Sequence, residues 1–289
     1  MGLSRSAPAQ MLYVGNSNQT VGVYTGIGQT VNSSLFSSVD KPTGIAISGS
    51  NIYVATWDVG SLPPPSGGTY DFGQISSYTT SGTLVNQYLI SFTNTFPFGV
   101  VASGSHLFVS TYDDGKITEY STSGTQIMPI ATGLNHPAGL ALSGSNLFVA
   151  NSGAGTIGEY TTSGSIVNAA LVSGLSNPVG VAVSGSNLFV TNGNAISEYT
   201  TSGALVNATY ITGLNNPWGL AIYGSDLYVT NNGGTTIGKY SLSGGSNTAS
   251  LVSGLPNGPT GIALIVPEPA GAALMSLVTM VGAIRRRRA

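Results

Sequence analysis

Pro137-Ala-Gly-Leu-Ala-Leu-Ser-Gly-Ser-Asn-Leu-Phe-Val-Ala-Asn151 is followed by Thr156-Ile-Gly-Glu-Tyr160, by the turn Thr161-Thr-Ser-Gly164 and by Ala170-Leu-Val-Ser-Gly-Leu175. Gly139–Ser143 and Asn146–Asn151 are short apolar runs rich in strand-favouring residues, and they meet at a Gly-Ser turn, so they read as a β-hairpin. Thr156–Tyr160 alternates apolar and polar residues, Thr-Thr-Ser-Gly supplies turn chemistry, and Ile166–Leu175 gives a fourth, less regular run. One unit is therefore four antiparallel strands, a, b, c and d.

The unit recurs along the chain. Its Pro-x-Gly step returns at Pro42, Pro97, Pro137, Pro178, Pro217 and Pro259, a spacing of roughly forty residues that marks a repeat architecture. The strand b core reads Leu12-Tyr-Val14, Ile52-Tyr-Val54, Leu107-Phe-Val109, Leu147-Phe-Val149, Leu188-Phe-Val190 and Leu227-Tyr-Val229. A strand c tyrosine follows at Tyr24, Tyr78, Tyr120, Tyr160, Tyr199 and Tyr240, each with a glycine four residues on, as a turn needing positive φ requires.

The ends complete each other. The first unit starts at strand b, whereas Pro259-Thr-Gly-Ile-Ala-Leu-Ile265 is a lone strand a. An open β-solenoid, the competing arrangement, needs polar capping units, and neither end has one. Joining the last strand to the first hairpin removes both exposed edges. The predicted fold is all-β: a six-bladed β-propeller over residues 11–265, built from four-stranded antiparallel blades and closed by its terminal strands. Pro-x-Gly-Ile-Ala-x-Ser-Gly-Ser-Asn-Leu-Tyr-Val, with Ile-x-x-Tyr and a Ser-Gly turn, resembles the NHL-type six-bladed propellers. That resemblance implies a fold shared by scaffolds, ligand binders, lactonases and lyases.

Charge is sparse. Between the ends of the chain only Lys41, Lys116 and Lys239 face nine carboxylates, which argues against binding a phosphate backbone, so no nucleic-acid partner is expected. Cysteine is absent, so there is no disulfide framework. Residues 1–10 have no apolar h-region, yet Ala7-Pro8-Ala9 fits a small-residue cleavage pattern. Two readings stay open there, the remnant of a secretory signal and a disordered leader.

Residues 266–289 are of another kind: Pro267-Glu268-Pro269, an apolar run from Ala270 to Ile284, then Arg285, Arg286, Arg287 and Arg288. The run predicts a short apolar helix, and the arginines place its end on the cytoplasmic side. The order of the three parts resembles the PEP-CTERM sorting signal of Gram-negative bacteria. It implies an exosortase-type peptidase as partner, anchorage in the inner membrane before cleavage, and delivery to the cell surface or extracellular matrix. A helix packed on the propeller, followed by a solvated basic tail, is the alternative.

Antiparallel connectivity puts the a–b and c–d turns on one face and the b–c and d–a loops on the other. The first face repeats Ser-Gly-Ser and Thr-Thr-Ser-Gly. The second varies, with an insertion from Trp57 to Gly73, Tyr112, the asparagines Asn151, Asn192 and Asn231, and His136. Ligand-binding candidates are therefore sought there. The x of Pro-x-Gly stands at the channel mouth and reads Thr260, Thr43, Phe98, Ala138, Val179 and Trp218 around the ring. Phe98 and Trp218, three blades apart, are expected on opposite walls, either as a clamp for a sugar ring or apolar ligand, or as core between blades.

Asp113 and Asp114, with Asp58, form the candidate site for a hard cation such as Ca²⁺, against the alternative of a solvated acidic turn. No other cofactor is implied. Glu119, Glu159 and Glu198 recur before the strand c tyrosine and are expected to face solvent or pair with hydroxyls. His106 and His136 fall on opposite faces, and no Ser-His-Asp grouping is identifiable, so no catalytic residue is assigned. The sequence favours an exported, non-catalytic binding or structural module of the cell surface or extracellular matrix, with extracellular polysaccharide or protein as the candidate partner. The alternative is a metal-dependent lactonase or a virginiamycin-B-lyase-like enzyme using the variable face.

Overall fold

The computed structural model describes residues 10–58, 72–243 and 245–265. The leader, most of the insertion and the whole segment 266–289, with its expected helix, lie outside the described residues. So does the side chain of Asp58.

The described residues form six four-stranded antiparallel sheets and no helix. Blade 1 holds β1 (Met11–Asn16), β2 (Thr20–Thr25) and β3 (Thr30–Ser37) as strands b, c and d. Blade 2 is β4 (Pro42–Ser48), β5 (Asn51–Asp58), β6 (Phe72–Thr79) and β7 (Leu84–Thr93). Blade 3 is β8 (Pro97–Ser103), β9 (His106–Thr111), β10 (Lys116–Ser121) and β11 (Gln126–Ala131). Blade 4 is β12 (Pro137–Ser143), β13 (Asn146–Asn151), β14 (Thr156–Thr161) and β15 (Ile166–Val172). Blade 5 is β16 (Val181–Ser184), β17 (Asn187–Asn192), β18 (Ala195–Thr200) and β19 (Leu205–Ile211). Blade 6 is β20 (Pro217–Tyr223), β21 (Asp226–Asn231), β22 (Thr236–Ser241) and β23 (Thr248–Val252), after which β24 (Pro259–Ile265) returns to blade 1 as its strand a.

Ring closure is therefore made by the first and last of the described strands. β24 pairs antiparallel with β1 in the register Met11↔Ile265 to Val14↔Ile262. Gln10 adds to the seam, because its carbonyl accepts from Gly26 N and its Oε1 from the Tyr228 hydroxyl of blade 6.

The Leu-aromatic-Val core of strand b explains how blades pack. Its residues alternate between the two faces of the sheet. Leu and Val face the preceding blade, and the aromatic between them faces the next. Phe108 of blade 3 thus packs with Leu147 and Val149 of blade 4, Phe148 with Leu188 and Val190, and Phe189 with Leu227 and Val229. Tyr228 closes the circle on Leu12 and Val14. Each buried aromatic or aliphatic side chain contributes about 1.5–3 kcal/mol. The core is consequently six interfaces between blades, joined at the channel mouth by a smaller cluster of Phe96, Phe98, Ala138 and Val179.

The Pro-x-Gly step serves the inner ring. A Cβ on Gly44 would lie 2.6 Å from Phe98 O, and one on Gly219 or Gly261 would lie 2.7 Å from the carbonyl of Thr260 or Thr43. Gly99, Gly139 and Gly180 meet the next blade's carbonyl more closely still. Only glycine lets the strands converge so far. Hydrogen bonds fasten the same ring, as in Thr260 Oγ1 to Pro42 O (2.6 Å), Thr43 Oγ1 to Pro97 O (3.1 Å), Ser110 Oγ to Ala138 O (2.6 Å) and Gly139 N to Val179 O (2.9 Å).

Candidate functional site: an aromatic platform over the channel

On the variable face the end of β5, the segment leading into β8, the residue after β9, the residue before β12 and the start of β20 converge on the channel mouth. They carry Trp57, Phe96, Phe98, Tyr112, His136 and Trp218. The rings form one contiguous stack. Trp57 lies on Phe96 (4.3 Å between centroids, 5° between planes), Phe96 on Tyr112 (5.3 Å, 18°) and Tyr112 on His136 (4.4 Å, 2°). A branch runs from Tyr112 through Phe98 (5.5 Å) to Trp218 (5.2 Å, 14°). Phe96 and Phe98 are buried, Trp57, Tyr112 and Trp218 are half-buried, and His136 is exposed.

The expected clamp is closed. Phe98 and Trp218 come from blades three apart, but they touch, whereas a ring held between two others needs faces roughly 7 Å apart. The inner ring draws the strands so near the axis that the two side chains meet and plug the mouth. Below the plug the channel holds a cavity of about 120 Å³, lined by residues such as Val100, Leu140, Val181 and Ile262. Near the a–b turns, past Ile47, Ala102, Leu142 and Leu264, lies a wider cavity of about 390 Å³.

Hydrogen bonds hold the platform in place. Tyr112 N donates to Phe96 O (3.0 Å), and Trp57 N to Lys41 O (3.2 Å). Lys41 Nζ sits 5.1 Å from the Trp57 ring centroid. His136 occupies a left-handed position before Pro137 (φ 50°), where asparagine precedes Pro178 and Pro217; asparagine and histidine are among the residues that tolerate it. Its carbonyl accepts from Ser152 N (3.0 Å) and Ser152 Oγ (2.9 Å). The indole N–H groups of Trp57 and Trp218 are buried and have no hydrogen-bond partner among the described residues.

Of the predicted site residues, Phe98, Trp218, Trp57, Tyr112 and His136 are thus brought together. The asparagines are not. Asn151 and Asn231 are buried and brace their own hairpins, donating to Thr156 Oγ1 (3.4 Å) and Thr236 Oγ1 (3.1 Å). Asn192 donates to Ser197 Oγ (3.1 Å) and accepts from Ser176 N (2.8 Å). Phe96 was missed by sequence reasoning, although an aromatic residue in a loop beside Pro97 was the available signal.

Asp113 and Asp114 occupy the β9–β10 turn. Asp114 is engaged by Lys116 Nζ (2.9 Å) and Thr95 Oγ1 (3.4 Å). Among the described residues no three His, Cys, Asp or Glu side chains converge as a metal cage.

The recurring glutamates are not solvated as expected. Glu119, Glu159 and Glu198 are nearly buried between blades, and each is met by the first residue of strand b: His106 (2.6 Å), Asn146 (2.8 Å) and Asn187 (2.9 Å). Blade 6 reverses the polarity, pairing Lys239 with Asp226 at 2.8 Å. Burial pushes the Glu159 carboxyl up, partly offset by the Asn146 hydrogen bond, and burial pushes Glu198 up as well. The hydrogen bond to Asp226 raises Lys239. His106 opens β9 beside the a–b turn and His136 precedes β12, so the two histidines stand at opposite faces.

The geometry defines a six-bladed β-propeller with an aromatic platform at one end of a plugged channel. Among solved structures, a chain of the nidogen/laminin complex is similar at 14% identity and a TM-score of 0.69, covering 88% of this chain and 98% of that one. A gluconolactonase from Xanthomonas campestris (13% identity, TM-score 0.60) covers 78% and 84%. A streptogramin B lyase (19% identity, TM-score 0.56) covers 83% and 74%. At these identities the likeness concerns the fold alone. No family model matches the chain, and no curated protein does.

Proposed function

We propose that this protein is an exported binding module of the cell surface or extracellular matrix, and that the aromatic platform holds carbohydrate rings of an extracellular polysaccharide. The observation that carries this reading is the contiguous stack from Trp57 to Trp218 at the channel mouth, in which Trp57, Tyr112 and Trp218 are half-buried and His136 is exposed. Sugars present C–H faces that lie on aromatic rings and hydroxyls that accept from N–H groups, which is the mix of apolar body and polar tip that Trp and Tyr offer.

Export is supported by the Pro267-Glu268-Pro269, apolar and tetra-arginine order of the C-terminal segment. Under this reading an exosortase-type peptidase is the processing partner, and Ala270–Ile284 enters the inner membrane before cleavage. The NHL-like repeat pattern of the blades is part of the same proposal.

The chain has only two tryptophans, Trp57 and Trp218, and both belong to the platform. Titrating the purified protein with soluble oligosaccharides therefore reads the site directly through intrinsic fluorescence. A saturable change that is lost in Tyr112→Ala is expected. Absence of any response across a broad panel, together with turnover in a lactone screen, would overturn the binding-module reading in favour of the enzyme.

A further inference from the structure

We infer that the face made by the a–b and c–d turns rests on a phospholipid bilayer, with aliphatic side chains at its rim dipping into the lipid interface. Strand d begins at this face, immediately after each c–d turn. There the chain exposes Val31, Leu84 and Val85, Ile127, Ile166 and Val167, and Leu205 and Val206. Ile27, in the first c–d turn, is 74% exposed. Five of the six blades contribute.

This exposure is built, not incidental. Tyr160 pairs with Ile166 and Glu159 with Asn168, so Val167 is the extra residue of a bulge. Just beyond the bulge Asn168 Oδ1 accepts from Ala170 N (3.1 Å), and Asn32, Asn86 and Asn207 accept likewise in their blades. Such a bulge protects the outer edge from pairing with another chain, and a polar residue would serve there equally well. The turns of this face mostly use Ser, Thr, Asn and Gly, with Tyr223 of blade 6 as a further exposed apolar ring. Aliphatic residues at these positions lie outside the core clusters of the blades.

Two independent features indicate the occupant. The first is charge. Asp40, Lys41, Asp113, Asp114 and Lys116 all lie toward the opposite face, whereas nearest the aliphatic rim Asp226 is paired with Lys239, and Glu119, Glu159 and Glu198 are nearly buried. The second is reach. β24 ends at Ile265 on the a–b turn side, and the apolar run begins at Ala270. Five residue steps span at most about 18 Å. If Ala270–Ile284 is in a membrane, this face is held within that distance of it; the inference rests on that part of the proposed function. Aliphatic pairs spaced around a rim suit a fluid, extended surface better than a single protein patch.

The chain contains no cysteine, so single-cysteine variants of the full-length protein can be labelled cleanly. The probe is a fluorophore at Val167→Cys or, on the opposite face, at Ser176→Cys, in vesicles of phosphatidylethanolamine and phosphatidylglycerol carrying brominated acyl chains. The expected result is flotation with the vesicles and quenching at least several-fold stronger at position 167 than at position 176. Flotation with equal quenching would overturn the resting face while leaving the anchor standing. No flotation would overturn both. Cross-linking between copies through Val167→Cys, without quenching, would assign the rim to a second copy instead.

Discussion

The two faces of the propeller obey different rules. On the a–b and c–d side, near-copies of Ser-Gly-Ser and Thr-Thr-Ser-Gly impose one backbone geometry from blade to blade, and Gly28, Gly82, Gly124, Gly164 and Gly203 all sit at φ between 87° and 93°. On the b–c and d–a side the loops differ from blade to blade, and the aromatic stack assembles from four different blades. Repetition therefore marks where backbone geometry chooses the residue, and variation marks where it does not.

The sharpest test of the repetitive rule lies in the inner ring. In Gly139→Ala a methyl group is forced into Val179 O and the Gly139 N–H bond to that carbonyl is strained, so a loss of roughly 3 kcal/mol or more is expected in denaturant unfolding. An unchanged midpoint would mean that the ring tolerates loosening. Trp218→Ala tests the variable face. It is expected to cost about 2 kcal/mol of stability, below the range for a fully buried Trp, and to weaken oligosaccharide binding at least tenfold. Stability loss without binding loss would reduce the platform to core.

Gly203→Ala probes the turn face. A Cβ there is strained at φ 88° and would lie 2.5 Å from Leu171 O of the preceding blade, so a cost of about 2 kcal/mol with ligand affinity unchanged is expected. The smallest effect concerns the buried carboxylates. Because Glu159 and Glu198 hold protons more tightly folded than unfolded, their contribution is complete below the unfolded carboxyl pKa and is lost as pH rises through the folded one. Replacing both by Gln, which retains an acceptor for Asn146 and Asn187, is expected to raise Tm slightly at pH 7. That difference should disappear near pH 4; a difference that grew on acidification would reverse the sign assigned here.

Much of the molecule was legible in the residues because a repeat states its own rules six times. Leu147-Phe-Val149 and its copies announced strand b, and the missing first strand announced closure with β24. The meeting of Phe98 and Trp218 was only half legible. Their three-blade separation is a matter of counting, but contact depends on how far the Pro-x-Gly carbonyls let the strands approach the axis. That Asn151 and Asn231 brace their own hairpins was not legible for a related reason, since a loop asparagine bonded to a hairpin threonine looks the same in sequence as one that is not. The burial of the glutamates escaped notice because their partners, His106, Asn146 and Asn187, sit diagonally across the b–c hairpin.

Local chemistry by itself determined the strands, the turns, the number of blades and the pairing of the chain ends, because periodicity, turn glycines and complementary termini are properties of adjacent residues. Tertiary structure decided what fills the mouth of the channel, which polar groups are buried, and which aliphatic residues stay exposed at the rim. Those outcomes depend on distances between blades, and such distances are set by the packing of the whole ring.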